Sequence, residues 1–262
     1  MNSKEKTIAD IADKLDAALT LISPVDPVTV MASELDIDDA YAVQLANVGK
    51  ALSRGLKITG KKIGLTSLAM QNMFGVGEPD YGHLFDNMDV SDIPVEINKL
   101  LLPKVEGEIA FVLKKEISGP NATVEDVLAA TDYVQSSIEI VDSRICGWKI
   151  KLIDTVADNA SSCRYALGDR KISPSDIKLT EVQMSLYKNG EKINEGSGAD
   201  VLGDPAMCVA WLANKLWQYG VTLNAGEVIL SGALTAAVPA EKGDCFEARF
   251  SEPLGNVSVK FI

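Results

Sequence analysis

Residues 104–113 read KVEGEIAFVL, a strand-like apolar run interrupted by two acids, Glu106 and Glu108. Side chains two apart on a strand share a face. Glu106 and Glu108 therefore stand beside Ala110 and Val112, while Val105, Ile109, Phe111 and Leu113 line the other side. Apolar residues on both sides mark a strand covered at least partly on both faces. Two like charges at low effective dielectric repel strongly, and a lone buried carboxylate protonates rather than stay charged. A divalent cation removes both penalties, and all-oxygen ligation favours Mg²⁺, Mn²⁺ or Ca²⁺ over zinc. The competing reading is a solvent-facing strand whose polar face carries two glutamates, the usual setting for Glu.

Outward from this stretch, SSIEIVDSRI (136–145) alternates Ile138 and Ile140 against Ser137, Glu139 and Val141, which puts a third acid, Glu139, in a strand-like setting. The Asn189-Gly190 pair inside VQMSLYKNGEKINEG (182–196) marks a hairpin. EVILSGAL (227–234) reads as a buried strand, and GDCFEARF with GNVSVKFI forms a terminal hairpin whose Val257, Val259 and Phe261 share a face. Helical spacing of Ile8, Ile11, Leu15, Leu19 and Ile22 is closed by Pro24 and Pro27. A second helix carries Tyr41, Leu45, Val48 and Leu52, with Asp38 or Asp39 near its start and Gly55 past its end. Thr123 opens a short helix with Glu125 and Asp126 in its first turn. The cleanest helix spans about 205–219, capped by Asp204, with Pro205 first and Gly220 as its stop.

The class expected is α+β, with a helical N-terminal subdomain over residues 1–58 packed as one unit against a mixed, β-rich catalytic domain over 59–262. Strands and helices do not alternate regularly, which disfavours a doubly wound sheet.

The 262 residues hold 25 Lys and Arg against 37 Asp and Glu, a net charge of −12. That balance argues against nucleic acid or an anionic membrane as partner, and an anionic substrate needs local positive charge. The first residues show no apolar leader, and no run of about 18 apolar residues occurs, so a soluble, cytoplasmic protein is expected. Cys146, Cys163, Cys208 and Cys245 form no C-x-x-C pair and read as buried free thiols. His83 is the single histidine, which excludes multi-histidine metal sites, and no nucleophile elbow offers it a serine.

GKKIGLTS (60–67), GVGEPDYGHL (75–84), PKVEGEIAFVL (103–113), EIVDSRI (139–145), DTVADNASS (154–162), VLGDP (201–205) and AGEVILSGAL (225–234) together resemble the 2-hydroxypenta-2,4-dienoate (2-oxopent-4-enoate) hydratases of aromatic meta-cleavage pathways and the related 4-oxalocrotonate decarboxylases. Both belong to the fumarylacetoacetate-hydrolase-like superfamily. The motifs run colinearly over essentially the whole chain. The resemblance implies that fold, and a metal site of Glu106, Glu108 and Glu139 holding Mg²⁺, with Mn²⁺ as a possible substitute. It implies that Lys62 pairs with the substrate carboxylate or assists proton transfer, whereas Lys61 reads as an ordinary surface lysine. Asp80 is implied as an acid/base, or else a turn residue. Ser161 is a substrate-facing hydroxyl or a turn cap, and Gly232 a close backbone approach to the ligand or to a packed strand. His83 receives no role.

The activity implied is hydration of 2-hydroxypenta-2,4-dienoate to 4-hydroxy-2-oxopentanoate. Decarboxylation of 4-oxalocrotonate is the alternative, since Arg164 and Tyr165 resemble the decarboxylase pattern. A longer 2-oxo-heptenedioate substrate is another, and an inactive partner of an active paralogue a minor one. Relatives of this kind are homo-oligomers, and a complex with a paralogous decarboxylase or hydratase is a further option.

Overall fold

The structure is a computed structural model describing residues 2–262, the side chains of Met73 and Phe74 excepted. Three helices precede the first strand: α1 (Ser3–Leu21), α2 (Val28–Met31) and α3 (Ile37–Ser53). Asn2 and Glu5 cap α1 reciprocally, and Ile11, Leu15 and Ala18 bury one stripe of it. The cap of α3 is Asp36, with Asp39 reciprocating three residues on, so the helix starts slightly earlier than the Asp38 or Asp39 expected from sequence. Its exit turn at Gly55 has φ +92°, a conformation glycine takes without strain.

The remaining elements are β1 (Ile58–Gly64), α4 (Leu68–Phe74), β2 (Asp80–Phe85), β3 (Lys104–Leu113), α5 (Val124–Ala130), β4 (Thr131–Val141), α6 (Leu152–Ala157), β5 (Ser162–Leu167), β6 (Gln183–Lys188), β7 (Glu191–Ser197), α7 (Pro205–Trp217), β8 (Val228–Ala233), β9 (Val238–Pro239), β10 (Cys245–Phe250) and β11 (Asn256–Lys260). Thr123 caps α5 and Asp204 caps α7, with Pro205 first in the helix. The short α4 and α6 carry too few turns to show a period in sequence.

One sheet runs β2-β1-β8-β3-β4-β5, with β9 paired to β3, and a second runs β11-β10-β6-β7. Among the described strands β1 and β8 pair in parallel and the other pairs are antiparallel. This is the mixed α+β architecture expected. Asn189 and Gly190, at φ +54° and +87°, turn β6 into β7. A continuous core joins Ile11 and Leu15 of α1 and Val43 of α3 to Ile63, Ile109, Phe111 and Ile138 of the large sheet and to Phe246 of the small one. Each such side chain contributes about 1.5–3 kcal/mol on burial. Among the described residues no helix is long and apolar enough to cross a membrane.

Two expectations are corrected. Lys61 is buried, 3% exposed, rather than at the surface, and its ammonium stands 3.2 Å from Glu227 inside the fold. Of the four free cysteines only Cys163 and Cys208 are buried; Cys245, on β10 of the small sheet, is exposed and Cys146 half-buried.

Candidate active site

The register of β3 on β4 sets Glu106 directly opposite Glu139, and Glu108 opposite Ser137. Opposed residues on neighbouring strands have Cβ atoms roughly 5 Å apart, so the E-x-E pair and Glu139 converge by strand geometry alone. One carboxylate oxygen of each lies within 4.8 Å of the others. Glu108 and Glu139 are buried, at 1% and 0% exposure. The solvent-facing reading is thereby set aside for Glu108, while Glu106 is half-buried at the edge of the cluster.

Lys62 joins them from β1. Strand order separates β1 from β4 by three strand spacings, roughly 14 Å in a flat sheet, yet Lys62 Nζ stands 3.4 Å from Glu139 Oε2. The sheet therefore curls, and its concave face gathers groups from β1, β3 and β4. This contact is an ion pair without hydrogen-bond geometry, for both Glu139 oxygens lack a hydrogen-bond partner although buried. Unsatisfied buried carboxylate oxygens are costly, and these point to a ligand. A hard divalent cation fits the donor set of three carboxylates at this spacing.

The electrostatics agree. Burial and the neighbouring Glu139 push Glu106 up to about 7. Glu108 rises well above the ordinary range from burial and from Glu139 and Glu106. Burial also raises Glu139, against the opposing pull of Lys62. Lys62 is the mirror case: burial works to lower it, but Glu139, Asp80, Glu106 and Glu108 outweigh burial and hold the ammonium charged.

Asp80 opens β2 opposite Gly64 of β1. A Cβ on Gly64 would lie 2.2 Å from Asp80 Oδ1 and 3.3 Å from Lys62 Nζ, so only glycine leaves room for the two side chains there. Thr155 of α6 donates to Asp80 Oδ2 at 3.3 Å, and burial raises the carboxyl above its usual range. Gln44 of α3 bonds the carbonyls of Tyr81 (3.0 Å) and Val156 (2.8 Å), tying α3, β2 and α6 together behind Asp80.

Gly232, at φ +112°, donates its N–H to Glu108 Oε2 at 2.9 Å. A Cβ there would meet Thr66 Oγ1 at 2.2 Å. Its backbone N–H thus meets the carboxylate of Glu108 directly. Ser161 sits on a loop where Asn159, Ala160 and Ser161 all have positive φ, from +49° to +56°, an uncommon run for residues with a Cβ. The Asn159 side chain clasps the backbone N–H and carbonyl of His83 on β2, and the buried Ser161 hydroxyl lacks a hydrogen-bond partner. Arg144 fastens the loop from beneath by an ion pair to Asp158. Gly64, Thr155 and Thr66 were missed by sequence reasoning. Only the glycine between Lys62 and the Thr66 turn offered a signal.

His83 lies on the other side of β1, with Nδ1 3.1 Å from Gln44 Oε1. Gln44 spends its amide N–H groups on carbonyls, so its oxygen accepts and His83 is the Nδ1–H tautomer. Tyr165 is a core residue, and Arg164 lines a separate cavity.

A curled mixed sheet with three convergent glutamates and a buried lysine defines the class of protein. The fumarylacetoacetate (FAA) hydrolase C-terminal family model matches residues 86–261, and the chain belongs to that family. It is 44% identical over 255 residues to a 2-keto-4-pentenoate hydratase of Paraburkholderia xenovorans (strain LB400), covering 96% of this chain and 94% of that protein. It is 42% identical to a 2-hydroxyhexa-2,4-dienoate hydratase of Comamonas testosteroni over 99% of each chain. Among solved structures, 4-oxalocrotonate decarboxylase from Pseudomonas putida G7, complexed with magnesium and adipate, superposes with a TM-score of 0.95 at 40% identity, covering 100% of this chain and 99% of that one.

Proposed function

We propose that this chain is a metal-dependent hydro-lyase that converts 2-hydroxypenta-2,4-dienoate to 4-hydroxy-2-oxopentanoate in the catabolism of ring-cleavage products. The observation that carries this reading is the convergent trio of carboxylates, Glu108 and Glu139 buried and Glu106 half-buried, with an unsatisfied Glu139. Glu106, Glu108 and Glu139 would hold Mg²⁺, or Mn²⁺ in its place, and the ion when bound supplies Lewis acidity toward the oxygens of a 2-oxo acid. Gly232 fixes the rotamer of Glu108 through its N–H. Lys62, held charged, receives the substrate carboxylate at the edge of the acidic cluster. Asp80, raised by burial and steadied by Thr155, keeps the proton that a general acid must give at the far end of the diene. Ketonisation releases the 2-hydroxyl proton to solvent, the same carboxylate then takes a proton from the water that adds at C4, and the enolate left by that addition takes a proton from solvent at C3. Ser161 offers its free hydroxyl to the keto acid.

All eight residues fall within 59–262, which we read as the catalytic unit with 1–58 as its helical subdomain. Exposed Leu21, Val30 and Leu68 support a homo-oligomer, alone or with a paralogue, and we place it in the cytoplasm.

The decarboxylase reading retains one support, the P. putida structural neighbour. The two activities separate in one assay. With Mg²⁺, the protein is expected to consume the dienol chromophore of 2-hydroxypenta-2,4-dienoate without CO₂ release. Release of CO₂ from 4-oxalocrotonate, with the pentadienoate untouched, would overturn the hydratase assignment in favour of the decarboxylase.

A further inference from the structure

A second cavity of about 420 Å³ lies between α1, α3 and the β5 strand. Lys62, Asp80 and the three glutamates do not line it. Its size is that of a small-molecule site. At about 30 Å³ per water-sized group it holds roughly ten to fifteen non-hydrogen atoms. Much of its wall is apolar, from Leu19 of α1, Val48 of α3, Phe85 and Met88.

The charged part of the lining runs against the charge of the protein. Four cations, Arg54, Lys99, Arg144 and Arg164, face two acids, Asp16 and Asp158, in a chain of net charge −12. Arg54 is bidentate to Asp16, both bonds 2.8 Å, and Arg144 is paired with Asp158. Lys99 has Glu96 at 2.7 Å on the exposed rim. Arg164 is left over. Its Nη1 contacts the carbonyl (2.7 Å) and sulfur (3.6 Å) of Cys163, and among the described residues no carboxylate lies within ion-pairing distance of it. A half-buried guanidinium with spare donors above an apolar pocket suits a carboxylate, which accepts its planar fork.

We infer that this cavity is a binding site, separate from the carboxylate cluster, for a small amphipathic monocarboxylate whose head pairs with Arg164 and whose apolar body lies against Val48, Phe85 and Met88. A cation without an ion-pair partner, with Asp142 the acid that feels its charge, selects one negative charge, and the apolar wall selects a hydrocarbon tail.

The test titrates octanoate into the full-length protein in Mg²⁺ by calorimetry, with acetate and 1-octanol as controls lacking the tail or the charge. Octanoate is expected to bind saturably and more tightly than either control. Arg164→Gln should weaken it about tenfold or more, with Arg164→Lys between the two. Leu19→Trp, at a rim position 40% exposed, should weaken it by narrowing the cavity, and this variant carries the test if Arg164→Gln melts early. Glu106→Gln should bind octanoate as the parent does. Absence of saturable binding, parental affinity in both cavity variants, or loss of binding in Glu106→Gln would each overturn the inference. The last would put octanoate on the glutamate cluster, and the first is also what a second copy of the chain filling the cavity would give.

Discussion

Lys61 and Lys62 are neighbours on one strand and almost equally buried, at 3% and 4% exposure, yet they stand in opposite electrostatic worlds. Lys62 faces the concave side, where four acids outweigh its burial and raise it. Lys61 faces the other side, where Glu227 at 3.2 Å does not offset burial, and it is lowered. The difference shows what separates a reactive buried charge from a structural one. A structural pair is one to one and satisfied, whereas the Lys62 side carries a surplus of negative charge that asks for a further cation.

Substitution of each lysine by methionine breaks the comparison most directly. Lys62→Met is expected to lower kcat by about 10²–10⁴, measured as dienol consumption at saturating Mg²⁺, with the melting transition still cooperative. Lys61→Met should do the reverse, leaving kcat of the folded protein close to parental while costing about 3–5 kcal/mol of stability, since Glu227 is left buried without its counter-charge. Equal effects of the two substitutions on kcat would dissolve the distinction.

The difference between these lysines marks the limit of what sequence alone can say. Lys61 and Lys62 lie on opposite faces of β1, but whether the second face is covered depends on packing between segments far apart in the chain, such as the Lys61–Glu227 contact, which no local pattern encodes. Glu106, Glu108 and Glu139 were legible because two share a strand face and the third lies on a strand that pairs with it in register. The reach of Lys62 to Glu139 depends on sheet curl, a property of the whole sheet. Thr155 lies on a six-residue helix too short to show a period. The 159–161 turn uses Asn, Ala and Ser at positive φ where a glycine would have announced it.

The surplus on the Lys62 side can be measured by filling it. Mg²⁺ is expected to raise unfolding stability by about 2.7 kcal/mol at roughly 100 times its Kd, followed by thermal melting. Glu106→Gln should retain the fold while losing both turnover and this gain. The pH dependence follows from Glu106, whose folded value near 7 lies above its unfolded one. Without metal the folded state binds the extra proton, so stability rises as pH falls from about 7. The ion needs the deprotonated carboxylate, so the Mg²⁺ gain shrinks over the same window. An unchanged gain at pH 5.5, or one preserved in Glu106→Gln, would remove the glutamates as ligands.

On the Lys61 side the corresponding probe is His83, whose backbone pairs with Lys61 across β1 and β2. Burial first, and the Lys61 charge second, lower His83 to about 3. The unfolded chain protonates it near 6.5 while the folded one does not. Its contribution is therefore complete above about pH 6.5 and is lost as pH falls, at about 1.4 kcal/mol per unit, roughly 2 kcal/mol by pH 5. His83→Asn keeps a donor for Gln44 Oε1 and has no proton to gain. The stability difference between parent and variant, taken from urea melts at several pH values, cancels the opposite trend of the glutamates and isolates this residue. That difference should be flat above pH 7 and slope against the parent below pH 6. A flat difference throughout would mean that the imidazole charges in place, and that the Lys61 face tolerates a second cation as the Lys62 face does.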